Sequence, residues 1–240
     1  MAIYVTADPE GNFKYIENFC RNFQTTKDDM MIMLGDVGLN YTLGVQDHYL
    51  KEKLSKLPLT FLCIHGNHEE RPENISSYSC LYNKVVDGNV YVEEEFPNIL
   101  FACDDSFYNI QDKLFYVLGG AYSVDKYYRL AMGRKWFPSE QNEKLKAELN
   151  DILDNDLDSF VPEWYKETPL TILTHTCPKK YQPTEAFLSG IDQSTVDNSM
   201  EELLDKLEAA VKYQNWYVGH FHIAKTVDKI HFLYHDIIEI

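Results

Sequence analysis

Met30-Met31-Ile32-Met33-Leu34-Gly35-Asp36-Val37-Gly38 is the stretch that decides the fold. An uninterrupted apolar run cut off by a glycine reads as a strand buried on both faces, the kind that lies inside a parallel sheet. The aspartate then stands just past the strand's carboxyl end, where α/β sheets present functional groups to a crevice. Upstream lie the run Ile3-Tyr4-Val5 and a helical stretch with Phe13, Ile16, Cys20 and Phe23 on one face. Downstream lie a helical stretch near Val45 to Leu57 and a further run from Leu59 to Ile64. The first half therefore reads β-α-β-α-β.

The middle of the chain changes character. Val85-Val86-Asp87-Gly88-Asn89-Val90-Tyr91-Val92 places a turn signal between β-rich runs, and Ile99 to Cys103, Ser106 to Ile110 and Leu114 to Leu118 read as strands of antiparallel hairpins. A helix bearing Leu145, Leu149, Ile152 and Leu153 follows, then a strand at Leu170 to Leu173. Ser199-Met200-Glu201-Glu202 has the spacing of a capping box and predicts a helix start. Trp216 to Val218 and a hairpin around Lys225 to Tyr234 return to strands. Mixed pairing with interspersed helices predicts two packed sheets covered by helices. No linker or repeat divides residues 1–240, so a single domain is expected.

Composition narrows the function. The 240 residues are 45% hydrophobic, enough for a full core. Lys and Arg number 22 against 38 Asp and Glu, a formal charge of −16, which repels duplex nucleic acid. A phosphate substrate would need a local positive focus such as bound metal ions. The five cysteines, Cys20, Cys63, Cys80, Cys103 and Cys177, form no C-x-x-C pair and predict neither a disulfide framework nor a zinc ribbon. With no secretory leader and no apolar stretch of membrane-spanning length, the expected location is cytoplasmic, with no membrane partner.

Asp, Asn and His residues recur after the apolar runs: Asp8 in Thr6-Ala7-Asp8-Pro9-Glu10, Asp36, Asn67 and His68 in Gly66-Asn67-His68-Glu69, His175 in Leu173-Thr174-His175, and His220 and His222 in Gly219-His220-Phe221-His222. Imidazole and carboxylate together suit Zn, Fe and Mn, and a set of this size suffices for two ions sharing a bridging carboxylate. The bland reading, turn residues and satisfied histidines, must treat four of the eight histidines as coincidence.

In this order the fragments resemble the calcineurin-like metallophosphoesterases, from Asp8 to His222. The resemblance implies a four-layer αββα sandwich of two mixed sheets flanked by helices, with two divalent metal ions at the sheet edge. It implies Asp8, Asp36 and His222 around one ion, and Asp36, Asn67, His175 and His220 around the other. His68 would then be a proton donor to the leaving group with Glu69 orienting it. Hydrolysis of a phosphate ester by a hydroxide bridging the two ions follows. The sequence departs from the family at Glu10, where the D-x-H histidine is usual. As a ligand, Glu10 would harden the site and favour Mn²⁺ over Fe or Zn; as a bystander it is a surface acid in a loop.

The segment Gly119 to Pro138 carries four basic residues and five aromatics and resembles a stretch of some bacterial and phage members of that superfamily. Arg129 is its candidate phosphate clamp, and Arg71 is a second. The alternative is that the aromatics pack the loop down and the charges are solvated. His65, His231 and His235 are expected to pack, Cys177 to be a small buried hydrophobe, and the acidic run Asp151 to Asp158 to be a solvated helix face. Motifs for serine hydrolases, P-loop enzymes and dinucleotide binding are missing. The leading expectation is a phosphomonoesterase acting on a small molecule or on phosphoserine or phosphothreonine. Gly35-Asp36-Val37-Gly38 lacks the Asp-Arg-Gly continuation of the protein phosphatases. A phosphodiesterase or nucleotide hydrolase is the runner-up, and a metal-stabilised binding scaffold the reading of another class.

Overall fold

The computed structural model describes residues 1–156, 160 and 168–240. The leading strands are β1 (Ile3–Thr6), β2 (Met30–Leu34) and β3 (Thr60–Ile64), alternating with helices α1 (Lys14–Phe23) and α2 (Val45–Ser55). Strands β4 (Ser79–Asn83), β5 (Gly88–Val92), β6 (Ile99–Ala102), β7 (Ser106–Ile110) and β8 (Lys113–Leu118) follow, then α3 (Lys126–Ala131) and α4 (Glu143–Asn155). The last part contributes β9 (Leu170–Thr174), α5 (Ser199–Ala210), β10 (Asn215–Val218), β11 (Lys225–Val227), β12 (Ile230–Phe232) and β13 (Ile238–Glu239).

One sheet has the order β13-β1-β2-β3-β6-β5-β4 and the other β11-β12-β10-β9-β8-β7. Strands β1, β2, β3 and β6 pair in parallel, as do β8, β9, β10 and β12, so each sheet has a parallel centre and antiparallel edges. The side-chain alternation of a strand sorts the apolar residues into three layers. Ile3, Val5, Ile32, Leu34 and Leu62 meet Tyr108, Phe115, Val117 and Leu173 between the sheets. The opposite faces of β1 to β3, with Tyr4, Met31, Met33 and Phe61, pack on Ile16 and Cys20 of α1 and Leu54 of α2. The outer face of the second sheet, with Tyr116, Ile172 and Trp216, packs on Leu149 of α4 and Leu203, Leu204 and Leu207 of α5. This is the expected αββα sandwich.

Three local readings change. The hairpin turn is Lys84 to Asp87, so Val85 and Val86 lie in it, and the partner of β5 is Ser79–Asn83. Phe23, expected on the buried face of α1, is 64% exposed and stacks on Phe19, because the helix ends there with Gln24 in the left-handed region. The capping box at Ser199 does not form. Asp197 accepts the Ser199 backbone N–H, the Ser199 hydroxyl accepts from Lys146 Nζ at 2.6 Å, and Glu202 pairs with Lys179. The acidic run's last members, 157 and 158, lie outside the described residues.

Tyr108 stitches the two sheets inside the core. Its hydroxyl accepts from Cys103 N–H and donates to the Asn89 carbonyl, each at 2.7 Å. Tyr108→Phe orphans both backbone groups, and the expected loss is about 1–3 kcal/mol. Urea unfolding checks this: a lowered midpoint with an unchanged slope is expected.

Candidate metal centre

Because the parallel strands of both sheets run the same way, their carboxyl ends converge on one edge. Asp8 follows β1, Asp36 follows β2, Asn67 and His68 follow β3, His175 follows β9, and His220 and His222 follow β10. The turns are tight. Asp8, Glu10, Asp36, His220 and His222 have φ of 51°, 47°, 46°, 68° and 50°, in the left-handed region that side chains seldom occupy. Gly66 is required by proximity: a Cβ there would stand 2.1 Å from the backbone nitrogen and Oδ1 of Asp36.

Asp8, Asp36 and His175, all buried, offer ligand atoms within 4.8 Å of one another. His175 Nδ1 meets the Leu34 carbonyl at 2.7 Å, and its Nε2 stands 2.8 Å from Asn67 Oδ1 and 3.7 Å from Asp36 Oδ2. His220 Nδ1 also approaches Asn67 Oδ1, at 3.0 Å, and its backbone N–H donates to Asp8 Oδ2 across the sheets at 2.9 Å. Burial and the neighbouring Asp36 charge push the Asp8 carboxyl well above the usual range. Asp36 also feels burial, but the His175 and His68 rings and the His68 N–H outweigh it and hold its carboxyl low. Burial lowers His175, and burial together with the His175 ring lowers His220 further.

Two cavities, of about 220 and 480 Å³, open beside the cluster and share Glu10, Asp36, His68 and Arg129 in their walls. The family model for calcineurin-like phosphoesterases matches residues 1–224. The chain belongs to that family. Among solved structures, TT1561 of Thermus thermophilus is 14% identical over 91% of this chain and 80% of its own, with a TM-score of 0.43. A phosphopantetheinyl hydrolase from Mycobacterium tuberculosis is 13% identical over 97% of this chain and 88% of its own, with a TM-score of 0.46. No curated protein matches. For a calcineurin-like phosphoesterase the substrate class is a phosphate ester, and the family generally binds divalent metal ions.

The residues present fit such ions. A carbonyl oxygen only accepts, so the proton of His175 is on Nδ1, and Nε2 carries a lone pair. Asn67 directs its Nδ2 to Ser123 Oγ at 2.9 Å and so turns its oxygen toward His175. Two acceptors therefore face each other at 2.8 Å, an arrangement that a cation beside them reconciles. Asp8 Oδ1, buried and without a hydrogen-bond partner, asks for the same.

The other expected site residues are distributed unevenly. Glu10 and His222 are exposed and line the larger cavity, His222 stacked on Tyr234 with ring centroids 4.5 Å apart. His68 donates its backbone N–H to Asp36 Oδ1 at 2.8 Å, and its Nε2 accepts from Arg129 Nη2 at 3.1 Å. Arg129 lies on the short helix α3, within the stretch expected to be a loop, and is held by Asp125 through Nε at 2.7 Å. Lys126, over the Trp136 ring at 3.9 Å, packs that stretch on itself.

Two assignments are corrected. Arg71 is not placed to clamp a substrate phosphate: it is buried, engages Asp104 and the Ser139 carbonyl, and lines a separate cavity with His65. Glu69 does not orient His68. Its buried carboxylate accepts the N–H groups of Val37, Gly38 and Gly66 at 3.2–3.4 Å and so binds the Asp36 and Asn67 turns together. Burial and the Asp36 charge push its carboxyl up to about 8 against those three hydrogen bonds.

Sequence reasoning missed His235, Ser123 and Glu201. His235 Nε2 donates to the Asp8 carbonyl at 2.9 Å, its ring stacked on Tyr15. Only the approach of the last hairpin to β1 puts it there, and no local pattern signals it. Glu201, which the sequence presents as one acid of a helix start, is buried in the first turn of α5, and its Oε1 accepts from Thr176 at 2.8 Å. Burial pushes its carboxyl up to about 7 against the Thr176 hydrogen bond. The folded chain then binds more protons at Glu201 than the unfolded chain between about pH 4.5 and 7, and stability falls as pH rises through that window. Glu201→Gln lacks this loss. Its stability relative to wild type should rise between about pH 5 and pH 8, read from urea midpoints at each pH.

Proposed function

We propose that the chain is a two-metal hydrolase of phosphomonoesters, and the observation that carries the reading is the convergence of Asp36, Asn67, His175 and His220 on one point beside a buried Asp8. Asp36, Asn67, His175 and His220 would hold one ion, and Asp8, Asp36, His222 and Glu10 the other. When bound, the ions lower the pKa of a water and neutralise charge on the phosphoryl oxygens. Manganese is the favoured metal, because Glu10 adds a hard oxygen donor. A reducing cytosol is the proposed compartment, supported by five free thiols.

The chain's own groups supply the rest. Arg129, fixed by Asp125, takes phosphoryl oxygens in its fork. A bound phosphate competes with His68 for that guanidinium, and the released imidazole takes up a proton. As the P–O ester bond breaks, His68 gives this proton to the departing alkoxide while the water oxygen becomes the fourth oxygen of inorganic phosphate. Glu69 and His235 position the turns that carry Asp36, Asn67 and Asp8. Glu10 supports a second reading: its carboxylate lines both cavities and makes the site less positive, which a monoanionic diester tolerates better.

Activity with Mn²⁺ over a panel of monoesters, diesters and nucleotides decides between these readings. Chelation should silence the protein, and full activity in chelator would end the two-metal account. His68→Asn should lower kcat about 10²–10⁴-fold for poor leaving groups, with metal content by elemental analysis near wild type. Glu10→Ala should lose one metal and Glu10→His should shift preference toward Zn²⁺ or Fe²⁺. Two retained metals and unchanged preference in both variants would make Glu10 a bystander.

A further inference from the structure

The larger cavity runs from the metal cluster to the first turn of α5. Its side walls are apolar, formed by Phe187, Leu188, Ile191, Val196 and Ile223. Its lining also includes Glu201, fully buried, whose Oε2 accepts no hydrogen bond from any other described residue. Glu201 is joined to the cluster by a short path, since Thr176, which donates to its Oε1, follows His175 directly. The smaller cavity offers a contrast. Its Asp47 accepts from the Thr42 N–H and hydroxyl and from the Leu43 N–H, and both of its oxygens are occupied.

A buried carboxylate oxygen without a donor is costly, and a ligand group that supplies the donor recovers that cost on binding. We propose that Glu201 is a specificity residue for the leaving group. The preferred substrate is then a phosphomonoester whose alcohol has a compact apolar body ending in a hydrogen-bond donor, which Glu201 Oε2 accepts. The apolar body lies against Phe187, Leu188 and Ile191, and the phosphate lies at Arg129 and the metal cluster. The cavity's volume of about 480 Å³ accommodates a group of this size. The inference rests on the phosphoesterase reading of the adjoining site.

The test compares kcat/KM with Mn²⁺ for phenyl phosphate, para-(hydroxymethyl)phenyl phosphate and tyramine phosphate, which differ in carrying no donor, a neutral donor and a charged donor. At least one donor-bearing ester should be preferred over phenyl phosphate by about tenfold, and Glu201→Leu should bring that ratio back toward one. Glu201→Gln keeps an acceptor oxygen without the charge, so it should retain a hydroxyl preference and lose an ammonium preference. If Glu201 only supports the fold, all three esters fall together and the ratios stay fixed, which overturns the proposal. Calorimetric binding of tyramine and of para-(hydroxymethyl)phenol separates this from the reading on which it rests. Weaker binding of at least one of them by about tenfold in Glu201→Leu supports the subsite even if no ester is turned over, and equal binding of both, or binding of neither, overturns it.

Discussion

Two carboxylates, Asp8 and Asp36, are buried together at the ends of neighbouring parallel strands, and every other feature of this sheet edge answers to the cost of keeping them there. Like charges in a low-dielectric site cannot both ionise without compensation, and burial beside Asp36 pushes the Asp8 carboxyl well above the usual range. The compensation visible among the side chains is partial. It consists of backbone N–H groups from His68 and His220 and of neighbouring imidazoles, with no Lys or Arg in hydrogen-bond contact with either carboxylate among the described residues. A protein of −16 net charge that buries two of its acids together without a basic partner leaves a place for divalent ions.

Holding that arrangement requires both sheets. Asp8 is bonded to His220, and His175 to Leu34, so each sheet supplies a partner to the ligand-bearing turns of the other. The cluster thus acts as a weld at one edge of the sandwich, and Tyr108 ties the sheets together inside the core. The left-handed turns at Asp8, Asp36, His220 and His222 are tolerable only because this framework over-determines them. Glu69 contributes the same kind of constraint: one buried carboxylate gathers N–H groups from two successive βα turns and fixes their separation.

What the sequence disclosed follows from the range of the forces involved. The strands β1 to β3 and the positions of the candidate site residues after them were legible because burial on both faces writes a continuous apolar run and the glycines mark where it ends. The β4–β5 hairpin was displaced because Val85 and Val86 look like strand residues, and Val86 is buried like one, in the core between the sheets, although it lies in the turn. Arg71 and Glu69 lay beside the right motif, and their side chains are directed by Asp104 and by the backbone of the Asp36 turn, partners 33 residues onward and 32 residues back. Such long-range pairings leave no periodic trace. Glu201 was hidden by a plausible local role, since capping-box spacing explains an acid there equally well until Asp197 is seen to take the backbone N–H.

The electrostatics of the two cavities carry this argument to the substrate. Arg129 is the one Lys or Arg in their walls among the described residues, against Glu10, Asp36, Asp47, Asp125 and Glu201. Asp125 is already paired with Arg129, so the protein alone presents a phosphate ester with an anionic surface. Attraction must therefore come from ions whose charge exceeds that of their ligands, which makes phosphate affinity and metal loading one linked equilibrium rather than two. In the proposed two-metal reading Glu10 would set the balance of that equilibrium, because its carboxylate adds one negative charge to the sum that a phosphate dianion meets. On the same proposal, weaker attraction at the phosphorus end would leave more of the binding free energy to come from the alcohol end, which the apolar wall around Phe187 and Ile191 would supply.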